Sequence, residues 1–148
     1  MSITQLIERS IVFYTALLIA FAVFAYGLTT EETRNLFDLL LLGAVGGWIA
    51  LLISLRRMPA VRRFALAIPG FLLVIGWVSI LNAGFDHDWD TGFEKLRDPI
   101  PWLPSTLNQT RSLNDMKHLT ILVFGGWMIS DLCRDRRNRQ TLLFALVI

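Results

Sequence analysis

The chain has 148 residues, 54% hydrophobic and 18% charged, with a formal net charge of +2 and a mean hydropathy of +0.53. This is the composition of a membrane protein, and the single cysteine, Cys133, excludes an intramolecular disulfide. Eight of the fourteen Lys and Arg residues lie in two compact clusters, Arg56, Arg57, Arg62 and Arg63, then Arg134, Arg136, Arg137 and Arg139. Both abut apolar runs and lack interleaved aromatics, so they read as cytoplasmic anchors under the positive-inside rule, not as a nucleic-acid surface.

The first nine residues are short and nearly neutral, Glu8 offsetting Arg9. The apolar run 11–28 follows, free of Asp, Glu, Lys, Arg and His. It exceeds the core of a signal peptide, and the small-x-small triplet Ala25-Tyr26-Gly27 is a faint cleavage signal. An uncleaved first transmembrane helix is expected. The stretch 29–38, with Glu31, Glu32 and Asp38 against Arg34, reads as an external loop. Run 39–55 returns to the first arginine cluster. A short amphipathic lead over 59–68, with an entry kink at Pro69-Gly70, introduces the third run, 65–85. A helix needs about 20 mostly apolar residues to cross ~30 Å of hydrocarbon, and about 17 suffice. In lipid, backbone polar groups must pair within the segment, so all three runs are expected as spanning α-helices.

Small residues punctuate these runs: Ala16 and Ala20 in the first, Gly43 and Gly47 in the second. They permit close helix approach, here within the chain. Trp48, Trp77 and Trp127 lie well inside their runs and are expected to fill helix–helix contacts. No ionisable residue falls within the three long runs, which argues against a proton relay or ion pathway.

An external loop is expected over 86–115. Asp86-His87-Asp88-Trp89-Asp90 gathers three carboxylates and an imidazole, donors suited to Mg²⁺, Ca²⁺ or Mn²⁺. The EF-hand glycine and distal glutamate are missing, and no second His or Cys pair follows. A solvated acidic connector is expected, with no metal. Pro99, Pro101 and Pro104 stiffen the next segment into an extended path. Trp102 suits the membrane surface, Ser105 or Thr106 can cap a following helix, and Asn108-Gln109-Thr110 matches a glycosylation pattern common by chance.

The fourth apolar run, 119–130, is short. It is expected to span over about 116–132, with Lys117 snorkelling to the interface; an interfacial helix is the competing reading. Asp131 is expected to pair with Arg134, and Asp135 with Arg139. Cys133 reads as a structural thiol. The last apolar segment, 141–148, is too short to cross and reads as a partial fifth span interrupted by the end of the chain. The expected fold is thus all-α, a polytopic bundle of four spanning helices plus an incomplete fifth. It forms a single membrane-embedded region with a cytoplasmic N-terminus.

The segment Trp102-Leu103-Pro104-Ser105-Thr106-Leu107-Asn108, the apolar run 119–130 and the boundary Asp131-Leu132-Cys133-Arg134-Asp135-Arg136-Arg137 resemble a recurring block of the bacterial O-antigen ligase and polymerase-like family. The resemblance covers roughly 99–148 and rests on order and texture. It implies the N-terminal scaffold of a larger polytopic enzyme in the bacterial inner membrane. That enzyme would transfer glycan from an undecaprenyl-diphosphate carrier at the periplasmic face. The family's key arginines and histidine belong mainly to later external loops, so no catalytic residue is carried onto this chain, and Arg111 and His118 stay unassigned. No nucleophile–base pair, phosphate-cradling glycine loop or paired catalytic carboxylates appear, and no cofactor is expected. The implied partners are the lipid bilayer, a lipid-linked glycan and other membrane subunits. The alternative is a non-catalytic integral membrane subunit, with a transporter component third.

Overall fold

A computed structural model describes residues 3–24, 30–87, 94–96, 98–107 and 109–147. Helices dominate: α1 Ile3–Phe24, α2 Glu31–Ser54, α3 Arg63–Leu81, α4 Gln109–Leu132 and α5 Arg136–Val147. Between α3 and α4 two three-residue strands, β1 Phe85–His87 and β2 Glu94–Leu96, pair antiparallel with Phe85 opposite Leu96. Where one region was expected, the chain divides into two compact units. One comprises Met1–Arg62 with Phe124–Ile148, the other Arg63–Val123.

The helices outrun their apolar stretches. Residues 31–38, expected as loop, form the first two turns of α2. Thr30 caps them, its hydroxyl accepting from the Thr33 amide at 3.3 Å, and Glu31 and Glu32 sit where the helix dipole favours negative charge. Similarly, α1 starts eight residues before its apolar run and α4 seven before the expected span. Among the described residues three helical segments are long and apolar enough to cross a membrane: Thr4–Val23, Glu31–Ser54 and Arg63–Leu81. The chain is therefore a multi-pass membrane protein by the length and apolarity of its helices. The remaining long helix, α4, carries Arg111, Asp115, Lys117, His118 and Asp131 around its short apolar centre.

In the first unit α1 packs against α2 and α5. The buried face of α2 repeats as Phe37, Leu41, Ala44, Trp48 and Leu51, the spacing that keeps one stripe inward. Leu41 lies so close to Gly125 that a Cβ there would stand 3.0 Å from it. Gly47 faces Ile11 of α1, whereas space beside Gly43 is open. On α5, Asn138, Leu142 and Ala145 are buried while Arg136, Arg137 and Arg139 are exposed. Asn138 donates from its amide to Glu8 of α1 at 3.1 Å. An amphipathic α5 thus lies against α1, and its arginines stay outward.

The second unit is built on a close approach of α3 to the first half of α4. Any Cβ at Gly76 would overlap the Met116 side chain, and the Trp77 indole donates to Thr120 Oγ1 at 3.1 Å. Leu73 and Ile80 of α3 are buried, while Phe64, Ile68, Phe71, Leu72, Val74 and Leu81 are exposed, as suits a helix facing hydrocarbon. Pro69 is inside α3, which runs on through it. The expected amphipathic lead divides, residues 59–62 being non-helical and 63–68 the first turns of α3.

Candidate functional site

Among the described residues one polar cluster is a latch around Asp131, at the last turn of α4. Its carboxylate is fully buried, a position that is costly unless the charge is paired and hydrogen-bonded. Three donors meet that need. Arg57 Nη2 reaches Oδ2 at 2.7 Å, the Trp48 indole N–H reaches the same oxygen at 2.9 Å, and the Ala60 backbone N–H reaches Oδ1 at 2.7 Å. One acid thus ties the end of α4 to the last third of α2 and to the non-helical connector after it. The expected partner, Arg134, is displaced in this role. Arg57, 74 residues away in sequence, takes it because the end of α2 delivers its guanidinium to the carboxylate. The partner of Asp135 also differs, its carboxylate accepting from the Arg137 amide at 3.0 Å and so starting α5.

How α2 ends explains the placing of Arg57. Leu55 caps the helix, Arg56 turns into the left-handed region at φ 48°, and the Arg56 and Arg57 amides donate back to Ile53 and Leu52. This is the Schellman closure, whose left-handed residue is usually glycine. With arginine there the backbone carries strain of about 1–2 kcal/mol, and no sequence signal announces it.

A second cluster lies on Asn82, just beyond α3. Its carbonyl accepts from the Ile100 amide at 2.7 Å. Its amide nitrogen lies 3.1 Å from the Ile100 and Leu103 carbonyls and 3.3 Å from that of Pro104. The proline segment is consequently not extended. Leu103 N–H bonds Ile100 C=O at 3.1 Å, a turn with Pro101 at the position whose φ proline presets. Gly84 N–H adds a bond to Thr106 C=O at 3.0 Å. The Thr106 hydroxyl, expected as a helix cap, instead pairs with Ser112 Oγ at 2.6 Å.

The other expected positions fall as follows. Asp86 and His87 enter β1, whereas Asp88 to Asp90 and Asn108 lie outside the described residues. Among the described residues no three His, Cys, Asp or Glu side chains gather as a metal site. Trp102 is exposed. Arg111 and His118 share α4, the first exposed and the second half-buried. Cys133 is free and half-buried; burial pushes its thiol pKa up, and the Arg139 charge opposes that rise. Trp48 and Trp77 serve in helix contacts as expected, and Trp127 stacks edge-on with Phe124 at 4.9 Å.

Asp131 and Trp48 left faint traces in the sequence: an acid closing an apolar run, and an indole N–H that buried surroundings oblige to find an acceptor. Asn82 left none. In both clusters the central side chain, Asp131 or Asn82, has its oxygens engaged by donors, an arrangement that positions backbone and leaves no base poised over open space. Helices of this length and apolarity, fastened by buried polar latches, define an integral membrane protein of helical type. No protein-family model, curated protein or solved structure matches the chain.

Proposed function

We propose that this chain acts as a helical membrane scaffold that orders the ends of its helices for a larger glycan-transferring assembly. The observation that carries the scaffold role is the complete engagement of Asp131 by Arg57, Trp48 and Ala60. A carboxylate so enclosed holds elements in register and is closed to substrate. The turn pinned by Asn82 does the same for the segment before α4.

The assembly served is proposed to be of the O-antigen ligase or polymerase-like kind, using an undecaprenyl-diphosphate-linked donor at the periplasmic face of the bacterial inner membrane. Its support is the resemblance over 99–148: a proline-bearing turn, α4, an arginine-rich boundary and α5, in that order. In this reading the N-terminus is cytoplasmic and α4 makes a fourth crossing, its 24 residues covering roughly 36 Å. Transfer from a diphosphate needs a base and charge stabilisation of the leaving group, and these come from the rest of the assembly.

Two measurements test the proposal. The purified chain, supplied with lipid-diphosphate donor and acceptor, is expected to transfer no glycan, and turnover by the chain alone would contradict the scaffold role. Deleting it from its host is expected to abolish glycan attachment at the cell envelope. An unchanged envelope glycan would contradict the ligase-type assembly and favour a subunit of another membrane complex.

A further inference from the structure

A groove of about 390 Å³ runs along the end of α2, lined by Ile49, Leu52, Ile53, Arg56, Arg57, Met58 and Pro59. Its walls are mostly apolar, and Arg56 and Arg57 add two guanidinium groups to the lining. Met58 and Ile53 are conspicuously bare, 86% and 71% exposed. From these residues we propose a binding site for one anionic glycerophospholipid, with its phosphate at Arg56 and Arg57 and an acyl chain along Ile49, Leu52 and Ile53. This goes beyond the scaffold role and does not rest on the glycan-transferring assembly.

Three observations converge on an anionic head with a hydrocarbon tail. First, the Schellman closure puts an arginine where glycine would be free of strain, and the strained residue stands at the groove. Strain persists where the surroundings impose it, and it clusters at sites that hold ligands. Second, Arg57 is not saturated by Asp131. Nη2 bonds the carboxylate, while Nε is shut off from solvent with no hydrogen-bond partner. Nε itself is too enclosed to meet a ligand, but the side chain is 33% exposed, so other N–H groups of the guanidinium remain to donate to an acceptor in the groove. Third, Asp131 balances the charge of Arg57, and the charge of exposed Arg56 is the one that remains for a phosphate at the groove.

A free phosphate would use the arginines and leave the apolar wall bare. A neutral lipid would use the wall and leave the charge unmatched. An anionic phospholipid matches both, as expected for basic pockets beside membrane helices. Arginine suits the head, because its planar donors grip phosphate oxygens in pairs.

The test uses the full chain in phosphatidylcholine nanodiscs, titrated with phosphatidylglycerol and read by native mass spectrometry as retained lipid. Retention of one phosphatidylglycerol per chain is expected, weakened about tenfold by Arg56→Gln, the loss of one charge-assisted contact. Filling the groove with Ile53→Trp should weaken it too, although every charge remains. Arg139→Gln, which removes a cation outside the groove, should leave retention unchanged. Equal losses in Arg56→Gln and Arg139→Gln would mean diffuse attraction to the basic surface and overturn the site. Retention unaffected by Ile53→Trp would overturn the seating of the chain. Displacement of phosphatidylglycerol by equimolar undecaprenyl phosphate would assign the groove to a polyprenyl carrier and overturn the glycerophospholipid. Circular dichroism of each variant keeps a folding defect apart from a binding defect.

Discussion

Four residues, Asp131, Trp48, Arg56 and Cys133, each make a distinct prediction. Asp131→Ala would leave Arg57 and the Trp48 indole without their acceptor, and breaking a buried pair costs about 3–5 kcal/mol. Because Arg57 is 33% exposed, water takes up part of its loss, so about 3 kcal/mol is expected in detergent unfolding. Trp48→Phe, which removes one donor and keeps the ring, should cost only about 1 kcal/mol. Arg56 runs the other way. Glycine relieves its left-handed backbone but adds chain entropy to the unfolded state. Arg56→Gly should therefore stabilise by about 0.5–1 kcal/mol, and destabilisation would mean that its side chain holds the fold. Cys133 offers a pH measurement. A thiol whose pKa is raised by burial is less ionised at any given pH, so alkylation should lag behind that of a free thiol and catch up only in alkali. Arg139→Gln removes the opposing charge, so it should slow alkylation further at pH 8. Faster alkylation would reverse the assigned causes.

At the scale of elements, the packing of α3 on α4 turns on one glycine. Gly76→Leu should disrupt the second unit, because Met116 occupies the space, and Met116→Ala in the same chain should restore much of the loss. A glycine merely tolerated there would show no rescue. Asn82→Ala should release the Ile100–Leu103 turn, read as new proteolytic cleavage within 98–107, where protection now comes from four hydrogen bonds to one side chain. These elements also show what a sequence reveals. The three long apolar runs were legible because hydrocarbon allows only helices there. Their aqueous extensions were not, since hydrophobicity stops where lipid stops while the helix continues. The start of α2 did have a local signal, Thr30-Glu31-Glu32-Thr33, a cap followed by acidic residues. Beyond the faint traces at Asp131 and Trp48, nothing local pairs the members of the latch, because Trp48, Arg57 and Ala60 meet Asp131 across 83, 74 and 71 residues. The proline segment misled for a related reason: three prolines restrict φ but do not choose between an extended path and a turn. Asn82 makes that choice from 18 residues upstream.

At the scale of the molecule, the account rests on alternation. Among the described residues three helices have the length and apolarity to cross a membrane. In the proposed topology both arginine clusters lie inside, the N-terminus is cytoplasmic and α4 carries the chain back despite its short apolar centre. That proposal has Lys117 snorkel to the interface, and it agrees with the latch, which places Arg57 beside Asp131 at the end of α4, three residues before Arg134. Cysteine labelling measures this directly. In a Cys133→Ser background, single cysteines replace Trp102, Arg62 and Arg137, all three exposed in the structure. Intact cells treated with a membrane-impermeant maleimide should label position 102 alone, and positions 62 and 137 should label only after permeabilisation. Labelling of 137 together with 102 in intact cells would show that α4 does not cross, and would contradict the four-crossing account.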